Sequence, residues 1–258
     1  SRYFADATAL NVAEITNYPV VVKPCLSRIK LTSGWLNSTV HIAANAHELQ
    51  TLINDKAYLR HPFMLQEFIP GHGAGIFALY DRGQSIAFFA HQRLREKPPS
   101  GGVSTLSSSV TPDARMLNMA KKLLDAAQWH GVAMIEFRIA PDRKPYLMEV
   151  NTRFWGSLQL AIDAGVDFPA LLLQISRGEP LPPTASYRIG QCLRWLLGDI
   201  DSLYLTLRAA DLSLGHKLKR LCEFATPHPF ATRHEINRWN DLGPAWFELK
   251  AYLKDLLG

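Results

Sequence analysis

The sequence predicts a chain that mixes β-hairpins with amphipathic helices, and three observations carry that expectation. Ile76 to Tyr80 and Ser85 to His91 are apolar, strand-like runs that flank Asp81-Arg82-Gly83, the composition of a tight hairpin turn. Val132 to Ile139 and Tyr146 to Asn151 repeat the pattern around a linking stretch from Ala140 to Pro145. Ala46 to Ala57 and Asp113 to Trp129 instead carry apolar residues at helical spacing. With 47% hydrophobic and 20% charged residues over 258 positions, the chain is long and apolar enough to bury a core.

Taken in order, Tyr18 to Pro24 (YPVVVKP) is a β-branched run ended by proline, a buried strand with Lys23 at its exit. Leu49, Leu52 and Ile53 form the inner stripe of the helix that follows. Phe63 to Ile69 reads as a second strand, closed by the turn Pro70-Gly71-His72-Gly73. Lys97 to Ser109 is rich in Pro, Gly and Ser around Gly101-Gly102, which predicts an exposed, mobile loop. The helix from Asp113 turns Met116, Met119, Ala120, Leu123 and Leu124 inward and is stopped by Gly131. Further helices are expected near Trp155 to Ala164 and Pro169 to Arg177. Pro180, Pro182 and Pro183 mark a junction that divides the chain into 1–184 and 185–258. Beyond it Arg188 to Gly258 reads as mostly helical, from Asp201 to Leu221 and from Pro244 to Leu257.

Composition narrows the function classes. The net charge of +5 is spread along the chain without a helix-turn-helix or RNA-binding aromatic pattern, so no nucleic acid partner is expected. No apolar run approaches the roughly 18 residues a membrane span needs, so no membrane partner is expected. Cys25, Cys192 and Cys222 are widely spaced and odd in number, which fits neither a disulfide framework nor a thiolate zinc site and points to a cytoplasmic protein. The chain starts at Ser1 without a signal sequence, and its beginning reads as trimmed.

The strongest chemical signal is Glu136 on one strand and Glu149-Val150-Asn151 on the next. Side chains alternate along a strand, so Glu149 and Asn151 share a face. A two-residue turn at Asp142-Arg143 sets Glu136 directly opposite Glu149. Two carboxylates side by side repel unless a cation lies between them. Two carboxylates and an amide oxygen suit a hard ion, Mg²⁺ or Mn²⁺, which leaves positions for phosphate oxygens. Lys23 can meet a phosphate as a point charge, and Arg93, Arg95 and Arg153 supply guanidinium groups for phosphate or carboxylate oxygens.

The order VVVKP, LQEFIPG, RLRE before a Gly-rich stretch, GVAMIEFR and LMEVNTRFWGS resembles an ATP-grasp protein over about Tyr18 to Leu181. It is most similar to the carboxylate-amine ligase type related to the ATP-binding regions of carbamoyl phosphate synthase large chain and D-alanine:D-alanine ligase. The resemblance implies an α+β ATP-grasp fold, two subdomains whose antiparallel sheets clasp ATP, followed here by a mostly helical C-terminal region. It implies that Lys23 meets the α- or β-phosphate and that Gln66, Glu67 and Ile69 form the hinge that receives adenine. Glu136, Glu149 and Asn151 would bind Mg²⁺ or Mn²⁺, Arg153 would face the transferred phosphoryl group, and Arg93 would contact substrate or phosphate.

Two features depart from the family pattern. The turn Pro70-Gly71-His72-Gly73 lacks the carboxylate usually offered to ribose, and Cys25 to Asn37, in the place of the phosphate-covering loop, holds only Gly34 among Ser27, Lys30 and Ser33. The family normally has a further domain before the first strand, so the chain reads as a fragment.

The implied reaction activates a small-molecule carboxylate as an acyl phosphate for attack by an amine, with Lys97 to Ser109 closing as a lid. The alternative is a nucleotide-binding module without ligase activity. Protein-kinase, Walker A and GxGxxG signatures are absent. The histidines read as surface or packing residues, with His72 and His91 the two nearest the nucleotide, and Phe154 and Trp155 read as core.

Overall fold

The computed structural model describes residues 1–99, 101–181, 186–225 and 232–257. They form two compact units, Ser1–Pro70 and Gly71–Gly258. Pro182 and Pro183, and the expected boundary at 184, lie outside the described residues.

The first unit contains β1 (Arg2–Phe4), β2 (Val20–Pro24), β3 (Arg28–Leu31), β4 (Gly34–Asn37), β5 (His41–Ala43), α1 (Ala46–Asp55) and β6 (Phe63–Glu67). β1, β6, β2 and β5 make an antiparallel sheet in that order. Alternation along β2 buries Val20 and Val22 against Phe63, Leu65, Leu49 and Leu59. The α1 cap is reciprocal: Asn45 Oδ1 accepts from Glu48 N at 2.9 Å, and Glu48 Oε2 accepts from Ala44 N at 2.8 Å. The helix ends at Asp55 rather than Ala57, because Ala57–Arg60 tightens into a 3₁₀ turn. The glycine-poor segment after β2 forms the ribbon β3–β4, with Arg28 paired to Asn37 and Leu31 to Gly34.

The second unit contains β7 (His72–Asp81), β8 (Gln84–Lys97), β9 (Val103–Ser109), α2 (Ala114–Ala126), β10 (Gly131–Ile139), β11 (Pro145–Asn151), α3 (Leu158–Ala164), α4 (Phe168–Arg177), β12 (Cys192–Arg194), α5 (Leu196–Arg208), α6 (Leu214–Ala225), β13 (Thr232–His234) and α7 (Gly243–Leu257). Seven strands form one sheet in the order β11-β10-β7-β8-β9-β12-β13, antiparallel except for the last pair. On one face Phe77, Leu79, Phe89, Val132 and Met134 pack against α3, α4 and Trp155. On the other, Ile76, Ala78, Tyr80, Ile135 and Phe137 pack against α2. The class is therefore α+β, as expected, with both faces of this sheet carrying an apolar core.

Several local expectations are corrected. Lys97 to Ser109 is not an exposed loop: β8 runs to Lys97, β9 pairs with β8 and β12, and Thr105 to Ser109 are buried. Serine is common in loops, yet here it fills a paired, buried strand. In a crowded strand a small hydroxyl fits and bonds its neighbours, as Ser109 Oγ does in donating to Arg188 O at 2.6 Å and accepting from Gln191 N at 3.0 Å. In α2 only Met116, Ala120 and Leu124 are buried, while Met119 and Leu123 sit on the next stripe at 40% and 39% exposure. That helix ends at Ala126, before Gln128 turns to positive φ, rather than at Gly131. The turn at Pro70-Gly71 is shorter than expected, since β7 already begins at His72. Gly71 has φ +131°, and a Cβ there would lie 1.9 Å from the Ile139 carbonyl oxygen.

The C-terminal segment is less helical than expected, because β12 and β13 extend the sheet and the anticipated helix from Asp201 to Leu221 is two, α5 and α6. One buried carboxylate ties these pieces down. Asp199 on α5 is fully buried and accepts from Arg95 NH2 at 2.6 Å, Arg194 Nε at 2.8 Å and Arg220 NH2 at 2.9 Å, joining β8, β12, α5 and α6. Burial, together with the neighbouring Arg220 and Arg194, pushes the Arg95 pKa down to about 10 although Asp199 opposes the shift. Removing the anion from three clustered cations is strongly unfavourable. Asp199→Ala is expected to lower the unfolding free energy by about 3–5 kcal/mol, read from urea denaturation followed by circular dichroism.

Candidate functional site

One face of the large sheet changes character within a single row of residues. Met134 on β10, Phe77 on β7 and Phe89 on β8 stand side by side and belong to the core. One step along the same face, two residues forward on β10 and β8 and two back on the antiparallel β7, the cross-strand row is Glu149, Glu136, Gly75, His91 and Ser109. Alternation alone forces these residues onto the face that carries Trp155 and α3. The apolar layer ends and a polar site begins there.

The register that joins Glu136 to Glu149 is the expected one, reached by a different route. Ile139 pairs with Pro145, so Ala140 to Lys144 form a five-residue connection rather than a two-residue turn. That displaces the pairing by one residue at Phe137–Leu147, and a bulge between Glu136 and Phe137 restores it. Asn151 Nδ2 then donates to Glu136 Oε1 at 3.1 Å and to Glu149 Oε1 at 3.0 Å, so the three side chains converge.

Arg93 reaches this group from β8 by crossing over β7. A Cβ on Gly73 would lie 3.1 Å from Arg93 Cδ and 3.2 Å from its NH1, so the missing side chain is what gives the guanidinium its path. Arg93 NH2 donates to Glu136 Oε2 at 2.7 Å, and NH1 donates to Glu96 Oε1 at 3.2 Å and to Gly102 O at 3.1 Å. Burial works against its charge, but Glu136 and Glu96 more than offset this and raise its pKa. Gly75 clears a similar gap beside His91, whose Nε2 would stand 3.4 Å from a Cβ there. His91 is buried against Phe77, with Nδ1 3.3 Å from Ser157 Oγ. Burial, aided by Arg93, pushes its pKa down to about 3 and keeps the ring neutral.

These groups line a cleft of about 550 Å³ that also includes Arg153, Trp155, Trp195, Glu235 and Glu248. Arg153 is exposed and donates to Phe154 O at 3.1 Å. Trp195, Glu235 and Glu248 escaped the sequence reading, since nothing local foretold that β12 and β13 would bring the C-terminal segment to this face. Among the described residues, no group of three or more His, Cys, Asp and Glu side chains is placed to hold a metal ion. The Glu136, Glu149 and Asn151 set supplies only two of its three donors from those residue types.

A family model described as "ATP-grasp in the biosynthetic pathway with Ter operon" matches residues 60–195, more than half of the chain. The chain belongs to the ATP-grasp family. Members of that family are ATP-dependent carboxylate-amine ligases. The chain is 28% identical over 155 residues to the carbamoyl phosphate synthase large chain of Pyrococcus furiosus, a match that covers 56% of this chain and 13% of that one. An ADP complex of N5-carboxyaminoimidazole ribonucleotide synthetase shares the fold, with TM-score 0.55 and 14% identity over 74% of this chain and 49% of that one. So does a biotin carboxylase complex from Campylobacter jejuni, with TM-score 0.52 and 16% identity over 68% and 41%. The chain thus spans about an eighth of the curated relative and about two-fifths of the biotin carboxylase.

Within the first unit of this ATP-grasp chain, Lys23 lies on β2 paired with Met64, and Gln66 and Glu67 end β6 beside Val21 and Val20. Gln66 Nε2 donates to Ser1 Oγ at 3.1 Å, while its Oε1 is buried without a partner. Ile69 follows β6 and is buried.

The Glu235 carboxyl, which lines the same cleft, is strongly perturbed. Burial first, and the charge of Glu248 second, raise its pKa from 4.5 to about 7, with Arg238 partly offsetting both. The folded protein therefore holds this proton more tightly than the unfolded chain. The stability it contributes is complete below pH 4.5 and is lost as pH rises to about 7. His91, neutral when folded, acts in the opposite sense below its ordinary value of 6.5. Comparison with a variant isolates the Glu235 contribution. Urea denaturation is expected to show Glu235→Gln gaining about 2 kcal/mol on the unmodified chain between pH 4.5 and 8, and parallel pH curves would contradict the assignment.

Proposed function

We propose that this chain binds ATP with a divalent cation and activates a small-molecule carboxylate as an acyl phosphate, which an amine then attacks. The observation that carries this reading is the convergence of Glu136, Glu149 and Asn151, with the Asn151 amide within 3.1 Å of both carboxylates. The donor set is hard and all-oxygen once the amide turns its carbonyl inward, which fits Mg²⁺ or Mn²⁺. The positively polarised groups already against the carboxylates, the Asn151 amide and the Arg93 guanidinium, mark the position as one that attracts positive charge. Glu136, Glu149 and Asn151 would hold the ion, which when bound would neutralise phosphate charge and leave positions for phosphate oxygens.

The remaining residues have matching tasks. Arg153, exposed at the cleft, would meet the transferred phosphoryl group, and Arg93 would orient Glu136 and contact substrate or phosphate. On the first unit, Lys23 would contact the α- or β-phosphate, and Gln66, Glu67 and Ile69 would receive adenine, partly through backbone groups. Little covalent work falls to the protein. Its contribution is to align the carboxylate in line with the γ-phosphoryl group, stabilise the charge that develops and keep water from the acyl phosphate.

Calorimetry tests the cation site. Glu149→Gln is expected to abolish Mg²⁺-dependent ATP binding while circular dichroism shows the fold intact, and unchanged nucleotide affinity would overturn the assignment. Release of ADP on screening carboxylic acids with amines tests the reaction. Tight MgATP binding without ADP release across the screen would instead mark a nucleotide-binding module.

A further inference from the structure

A second acidic pair stands in the same cleft. Glu235 follows β13 and Glu248 lies on α7, both beyond the residues 60–195 that carry the family match, and both line the cleft with Glu136 and Glu149. Glu248 Oε1 accepts from Trp195 Nε1 at 2.5 Å, which fixes that carboxylate at the wall. The two carboxyls repel each other across a partly buried space, and Arg238 only partly offsets the repulsion on Glu235.

An independent observation also points to a ligand. His91 and Trp155, 2% and 5% exposed, line the cleft, and His91 Nε2 and Trp155 Nε1 have no hydrogen-bond partner among the described residues. Buried polar atoms are nearly always paired, and leaving one unpaired costs free energy. Here two occur in one cleft, so its lining has hydrogen-bonding capacity that no described protein group uses.

The character of the walls narrows what that is. Among the described residues, no third His, Cys, Asp or Glu joins Glu235 and Glu248 to complete a metal site. Beside them are Trp195 and Ile236, surfaces that suit a carbon stem. Trp195 already takes an ammonium on its ring, with Lys97 Nζ 5.5 Å from the centroid. We propose that Glu235 and Glu248 form a subsite for a protonated organic amine, its ammonium against the two carboxylates and its stem along Trp195 and Ile236. Naming this ligand as the amine substrate rests on the ligase reading given above, whereas the binding itself does not.

The test uses the full chain carrying ¹³C-labelled glutamate, with the Glu235 side-chain carboxyl signal assigned by its loss in Glu235→Gln. Titration with n-butylammonium chloride is expected to shift that signal saturably and to lower its midpoint by about one pH unit, as a tenfold preference for the charged form requires. Sodium chloride, magnesium chloride and n-butanol should not reproduce the effect. Glu248→Gln, which keeps a hydrogen-bond acceptor for Trp195, should weaken n-butylammonium binding at least tenfold. No saturable response in the unmodified chain, an equal response to magnesium, or a response indifferent to Glu248→Gln would each overturn the proposal. Calorimetry with MgATP on the same samples separates the two readings: loss of nucleotide binding defeats the ligase assignment and leaves the amine titration to be judged by itself.

Discussion

Arg93 can touch Glu136 only because the strand between them carries glycine where side chains would block the way. β8 and β10 are both neighbours of β7, so a guanidinium from one reaches a carboxylate on the other by lying across the middle strand. Gly73 provides that passage and Gly75 makes room for His91 and Phe77, and both glycines sit on the face where Leu79 and Phe77, further along β7, belong to the core. One strand thus serves two purposes, with bulk where the protein must be dry and empty space where it must bring charges together.

The parts of the site that alternation governs were legible in the sequence. Glu149 and Asn151 had to share a face whatever the rest of the chain did, and Glu136 lay within one strand of them. The facing of Glu136 and Glu149 rests on two departures from an ideal two-residue hairpin that offset each other. The connection is longer than a two-residue turn, and the bulge beside Glu136 absorbs the difference. A bulge leaves no mark in residue type, so the register followed from the sequence only by that coincidence.

What stayed hidden has a common cause. β9 reads as loop because Ser104 and Ser107 to Ser109 fill it, yet the burial and hydrogen bonds that make it a strand come from β8, β12 and Arg188, distant in sequence. β12 and β13 are three residues each, too short to carry a period, and owe their existence to the edge they extend. Glu235 and Glu248 went unnoticed with them. Local patterns identify what a segment can become, and pairing partners decide what it does become.

Asp199 gives the C-terminal segment a standing that the word extension understates. Its carboxylate gathers arginines from β8, β12 and α6, while Asp163 on α3 holds Arg233 and Arg238 at the far edge of the sheet. Trimming the chain back to the matched region would strand unbalanced cations in the interior, leave β12 without its outer partner β13, and remove one wall from the cleft. For anyone seeking a minimal domain, the shortest useful version of this protein includes its last helix.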